Sequence, residues 1–177
     1  MKKFTLYILT AFGLMGLATS CNDFGDVNND PMNLNPGVVD YKMEFTQVEA
    51  QICGSDWDVW RNGCIYTANM IQHTASVDWA YGVFYTWNDQ YSGAYWGGFY
   101  SGGRAAIRNI IDVMNNWEGN PAYANEYQMC RILKAYMFQN MTDLYGDVPY
   151  SEAGQGYSTN PIPYPKYDTQ EAIYNDL

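Results

Sequence analysis

Asn120-Pro121-Ala122-Tyr123-Ala124-Asn125-Glu126-Tyr127-Gln128-Met129-Cys130-Arg131-Ile132-Leu133-Lys134-Ala135-Tyr136-Met137-Phe138-Gln139-Asn140-Met141-Thr142-Asp143-Leu144-Tyr145-Gly146 is the stretch that decides the fold. Asn120 is a favourable N-cap, because its side chain accepts from the free N–H groups of a first turn. Pro121 suits the first helical position, where its missing N–H costs nothing. Tyr127, Cys130, Leu133, Met137, Met141 and Leu144 then recur every three or four residues, which predicts one apolar stripe on a long helix. Gly146 stops it.

Working outward, the same period appears on both sides. Upstream, Ile107, Ile110, Ile111 and Met114 form the stripe of a helix predicted over residues 103–117, ended by Gly119. Before that, a helix beginning near Asp56 carries Trp60, Cys64, Ala68, Ile71 and Ala75 on one face. A first, weaker helix spans residues 38–52, with Tyr41, Phe45, Val48 and Ile52 in register and Gly54-Ser55 after it. Downstream, residues 148–165 hold four of the seven prolines and read as a long loop. A fifth helix starts at Asp168, where Asp168 and Glu171 have capping-box spacing. Its short stripe, Ile173, Tyr174 and Leu177, has nothing to pack on, so the chain reads as an N-terminal fragment of a longer protein. No alternation is long enough for a strand. The fold class expected is all-α (mostly), with helical hairpins of uneven length and long irregular loops.

The N-terminus is built differently. Lys2 and Lys3 precede an apolar run over residues 4–18, and Leu17-Ala18-Thr19-Ser20 leads to Cys21. Basic start, apolar core and small residues make a secretory signal peptide. The run is shorter than the roughly 20 residues of a membrane span. A cysteine directly after the small residues resembles a bacterial lipobox, with Ala18 where Leu is commoner. The expectation is cleavage after residue 20, lipid attachment at Cys21, and a tether over residues 21–37 rich in Asn, Asp and Pro. Residues 38–177 then form the helical domain.

Composition excludes several functions. The net charge is −10, and loss of residues 1–20, with two lysines and no acids, makes it −12. Such a chain repels phosphates and is no nucleic-acid binder. There is a single histidine, His73, and no CxxC or HExxH spacing, so neither a metal nor another cofactor is expected. Cys53, Cys64 and Cys130 read as buried apolar residues. If they shared one helix, Cys53 and Cys64 would stand about 16 Å apart, too far for a disulfide, although a break near Gly54 would bring them within reach. Asp56 and Asp58 are two residues apart, so they do not face each other as a glycosidase pair would. They suit the first turn of a helix instead.

The unusual number is aromatic: 17 tyrosines and 6 tryptophans. They are densest over residues 79–100, among glycines and short polar groups, in a segment expected to be irregular from Asp78 to Gly103. Flat rings receive the C–H faces of pyranose sugars, while Asn, Asp, Gln and Tyr groups pair with hydroxyls. Trp79, Tyr81, Trp87, Asp89, Tyr91, Tyr95 and Trp96 are the candidate ligand-binding residues. The competing structural role for each ring is packing under a glycine-rich loop.

The string Leu144-Tyr145-Gly146-Asp147-Val148-Pro149-Tyr150-Ser151-Glu152-Ala153 marks a corner, with Asp147 placed to cap the turn. Together with Pro165-Lys166-Tyr167-Asp168-Thr169-Gln170-Glu171-Ala172-Ile173-Tyr174, Ile132-Leu133-Lys134-Ala135-Tyr136, and Asp26-Val27-Asn28-Asn29-Asp30-Pro31 after Cys21, it resembles the SusD/RagB family of outer-membrane lipoproteins of Bacteroidetes, nearest its SusD-like branch. That resemblance implies hairpins like tetratricopeptide repeats and lipid-anchored display at the outer membrane, facing the cell surface. It implies nutrient capture rather than catalysis, and delivery to a SusC-type TonB-dependent transporter. The cargo implied is glycan; alternatives are a peptide, as for RagB-type members, or a purely structural partnership with the transporter.

Overall fold

Gly119 and Gly146 adopt φ of +72° and +74°, a left-handed backbone that glycine enters without strain, and between them lies the longest helix. The computed structural model of the chain describes residues 40–52, 54–101, 105–156, 158 and 160–177. The signal segment, Cys21, the tether and Cys53 lie outside the described residues. Asp40–Leu177 is one unit. Its helices are α1 (Tyr41–Gln51), α2 (Asp56–Asp58, continuing through Val59–Thr67 and Ala68–Met70), α3 (Asp89–Ser92), α4 (Ala94–Tyr100), α5 (Ala106–Trp117), α6 (Ala124–Tyr145) and α7 (Gln170–Asp176). Among the described residues there is no strand, only the isolated antiparallel bridge between Val148 and Asp168. The fold is all-α, as the periodicity predicts.

Helix α5 is the centre. It packs between α1 and α6, and α4 and α7 close the sides. Asn120 caps as expected: its side chain accepts from the Ala122 N–H, and Pro121–Tyr123 forms a 3-10 turn leading into α6. The core joins Phe45 and Val48 of α1, Phe99 of α4, Ile107, Ile110, Val113 and Trp117 of α5, Cys130, Met137, Phe138 and Met141 of α6, and Ile173 of α7. Each large apolar side chain removed from water contributes about 1.5–3 kcal/mol. Burial pushes the Cys130 thiol up to about 11, so it stays protonated and unreactive.

Five expectations are corrected. Leu144 is exposed, and Phe138 and Thr142 are buried in its stead, because the stripe drifts round α6 over its 22 residues. Cys64 is exposed rather than buried. It lies in Val59–Thr67, which is π-helical, and there the wider turn rotates Trp60, Cys64 and Ala68 away from the inner face. That face is instead Asp58, Asn62, Ile65, Tyr66 and Asn69. The helix ends at Met70, so Ile71 and Ala75 lie beyond it. The segment expected to be irregular holds α3 and α4. The N-cap of α7 is Thr169, which accepts from the Ala172 N–H. Asp168 is drawn away by Ser151, whose N–H and hydroxyl donate to its carboxylate at 2.7 and 2.9 Å. Asp147 does act across the corner, accepting from the Gln170 N–H at 2.9 Å.

Candidate functional site

Ser55 begins the site by fixing where α2 starts. Its hydroxyl accepts from the Asp58 N–H, and the Asp58 carboxylate accepts from the Ser55 N–H at 2.9 Å, a reciprocal capping box. Asp58 is buried in this role, which ties up the carboxylate and leaves no acid pair with Asp56. Behind it the π-helical turns carry Trp60 and Arg61.

The loop over residues 71–88 is strapped across α2. Gly82 donates its N–H to the Ile65 carbonyl at 3.2 Å. A Cβ at Gly82 would stand 2.4 Å from the Ile65 oxygen and 2.7 Å from the Tyr66 oxygen, so only glycine fits. The Tyr66 hydroxyl donates to the carbonyls of Thr86 and Asn88, and the Tyr85 hydroxyl to that of Met70. Trp79 and Tyr85 sit at φ +49° and +53°. Left-handed backbone at such bulky residues costs about 1–3 kcal/mol and recurs at binding sites.

Asn88 then caps α3, accepting from Gln90 and Tyr91. Asn62 holds the next junction from below. Its amide nitrogen donates to the carbonyls of Tyr91 and Ser92 at 3.0 and 3.2 Å, and its oxygen accepts from the Tyr95 N–H at 3.1 Å. Tyr145 completes the clamp from α6, donating to the Ser92 carbonyl at 2.8 Å and accepting from the Trp96 N–H at 3.1 Å.

These fixings produce a continuous aromatic surface. Trp60 is its centre, with ring centroids 5.4 Å from Trp57, 5.2 Å from Trp79 and 5.9 Å from Tyr91, all edge-to-face. Tyr91 continues to Tyr81 at 5.4 Å, and Tyr81 to Tyr66 at 6.3 Å. The Arg61 guanidinium lies 5.4 Å from the Trp57 ring and 5.8 Å from Tyr91. Trp57 is 62% exposed and Trp79 51%, so the surface is open to solvent.

The seven candidate residues separate into three groups. Trp79, Tyr81 and Tyr91 are on this surface. Trp87 and Asp89 are exposed beside α3, where the Trp87 indole N–H donates to the Asp89 carboxylate. Tyr95 and Trp96 pack against the core instead. Tyr95 stacks on Phe99 at 5.7 Å, and Trp96 lies among Tyr100, Tyr145 and Tyr167 at 4.6, 5.4 and 6.0 Å. Trp57, Trp60 and Arg61 were not among the candidates. Their distance in sequence from the dense segment hid them, although a Trp-x-x-Trp spacing on a helix was the available signal. His73 is exposed in the turn after α2. No group of metal-binding side chains occurs among the described residues.

Residues 38–177 match the family described as SusD-like, starch-binding associating with outer membrane. Among solved structures, a chitin-binding protein is similar at 33% identity and a TM-score of 0.62, over 76% of this chain and 28% of that one. A Bacteroidetes AC2a SusD-like protein is similar at 29% identity and a TM-score of 0.62, over 78% of this chain and 24% of that one. This chain thus spans about a quarter of the length of those two structures. No curated protein matches it. The chain belongs to the SusD-like family.

Proposed function

We propose that this protein captures glycan oligomers on the Trp57–Trp60–Trp79–Tyr91 surface and delivers them to a SusC-type TonB-dependent transporter. The observation that carries the proposal is the open, unbroken run of rings, held by buried polar clamps rather than left to loop motion. Rings held in advance lose little entropy on binding, so a few stacking contacts give useful yet reversible affinity. Capture before transport needs that reversibility. The chitin-binding relative supports a polymer of N-acetylglucosamine as the first glycan to test.

The location proposed is the outer membrane, through lipid on Cys21 once residues 1–20 are removed. No helix among the described residues is long and apolar enough to cross a membrane. The family description, which names the outer membrane, supports the same place. Binding without catalysis fits a site whose nearest buried acid, Asp58, is committed to a helix cap. Affinity electrophoresis in gels containing soluble glycan tests the proposal. Retardation of the wild type that is weakened in Trp57→Ala and Trp79→Ala is expected. Equal mobility of all three proteins, with and without glycan, would remove the surface from this role.

A further inference from the structure

Arg61 is the one cation of the aromatic surface among the described residues, and the only Lys or Arg in sequence between Lys42 and Arg104. Its guanidinium lies against Trp57 and Tyr91, where the ring faces attract a cation. Its Nε is buried with no hydrogen-bond partner. No described carboxylate pairs with it, although the chain carries 19 acids. A partly buried guanidinium ordinarily has an acceptor, since five donors in a fixed fork are costly to leave unmet. The rings hold Arg61 in place, while no described residue supplies its Nε with an acceptor.

We infer that Arg61 receives the acetamido carbonyl of an N-acetylated amino sugar, which makes it the specificity residue of the surface. This assignment rests on the glycan-capture function proposed above. Three classes of acceptor are available on sugars. A carboxylate or sulfate would satisfy Arg61 but must approach an acidic chain, with Asp56 and Asp89 exposed on α2 and α3. A hydroxyl is a weaker acceptor that water serves equally well. An amide carbonyl is neutral, accepts strongly, and brings a methyl group suited to the neighbouring rings. A charge-assisted bond to it is stronger than a neutral one. Removing the acetyl group leaves an ammonium facing the guanidinium, so the same residue selects against deacetylated sugar.

Calorimetric titration of the full chain with three β-1,4-linked hexamers tests this: N-acetylglucosamine, glucose and glucosamine. The wild type is expected to bind the acetylated hexamer about tenfold or more tighter than the glucose hexamer, the difference one charged hydrogen bond makes. Glucosamine is expected to bind most weakly. Arg61→Met should bring the acetylated-to-glucose ratio close to one, and Arg61→Lys should restore part of it. Equal affinity of the wild type for all three, which needs no variant, overturns the role of Arg61 and leaves the glycan surface standing. So does an unchanged ratio in a folded Arg61→Met. Failure of the wild type to bind any glycan overturns the capture function itself.

Discussion

Gly82→Ala adds one methyl at a residue that has no side chain to offer a ligand, and it should nonetheless weaken glycan binding. The added methyl would meet the Ile65 oxygen at 2.4 Å, the Tyr66 oxygen at 2.7 Å and the Asn69 Cβ at 2.9 Å. Ordinary contacts of this kind begin near 3.4 Å, so the overlap is about 1 Å. Both oxygens are backbone carbonyls of α2 and cannot rotate aside. The loop must lift, and with it Trp79 and Tyr81, which lie three residues before and one residue before Gly82. Lifting also breaks the Gly82 N–H bond to Ile65, 3.2 Å long. Overpacking of this size costs about 1–3 kcal/mol, which lowers the melting temperature by roughly 2–12 °C in a protein of this size. If Trp79 leaves Trp60, glycan affinity should fall about tenfold, the effect of losing one aromatic contact of about 1.4 kcal/mol. Calorimetric melting and affinity electrophoresis of the same preparation measure both effects. A Gly82→Ala protein with wild-type melting and wild-type retardation would show that the loop does not depend on this close approach.

Three further changes probe the supporting structure. Tyr145→Phe removes the hydroxyl that joins Ser92 and Trp96, leaving the Trp96 N–H without this acceptor and the Ser92 carbonyl with Asn62 alone; it should cost about 1–3 kcal/mol in denaturant unfolding, and a loss below about 0.5 kcal/mol would refute the clamp. Phe138→Ala opens a hole where the side chain is fully buried, and should cost about 3–5 kcal/mol by the same measurement, a smaller loss showing that the core collapses around it. Asp168→Asn tests the corner through pH. Burial raises the Asp168 carboxyl, but bonds from Ser151 and Tyr150 and the nearby Lys166 outweigh it and hold it below its usual 3.8. A depressed carboxylate stabilises the fold above its unfolded value and loses that contribution as pH falls through its folded value. The wild type should therefore melt above Asp168→Asn at neutral pH, with the gap closing below about pH 3.8. A gap that stays constant to pH 2 would contradict it.

Much of the fold was legible because α5 and α6 are long, periodic and bounded by glycines. Gly119, Asn120, Pro121 and Gly146 carry their conformations in their chemistry. The surface of α2 was not legible in the same way. Its inner face is Asp58, Asn62 and Asn69, residues that read as solvent-facing until their partners are known, and the π-helical turns alter the period by which a stripe is recognised. The short helices α3 and α4 hid in a glycine-rich stretch whose regularity comes from Asn62 and Tyr145, both distant in sequence. The aromatic density over residues 79–100 could not separate rings that pack, such as Tyr95 and Trp96, from rings that face solvent, such as Trp79 and Trp87. Whether a tryptophan packs or presents depends on what lies behind it. Trp96 has Tyr145 and Tyr167, whereas Trp57 faces solvent and completes the surface from another helix.

Retardation of Trp57→Ala, Trp79→Ala and Trp96→Phe in gels containing soluble acetylated chitin oligomers or starch tests most directly whether the Trp57–Trp60–Trp79–Tyr91 surface is the glycan site. The two surface variants should lose most of the wild-type retardation, while Trp96→Phe, altered on the core side, should keep it. Full retardation of both surface variants, or its loss in Trp96→Phe alone while that protein remains folded, would place the ligand elsewhere.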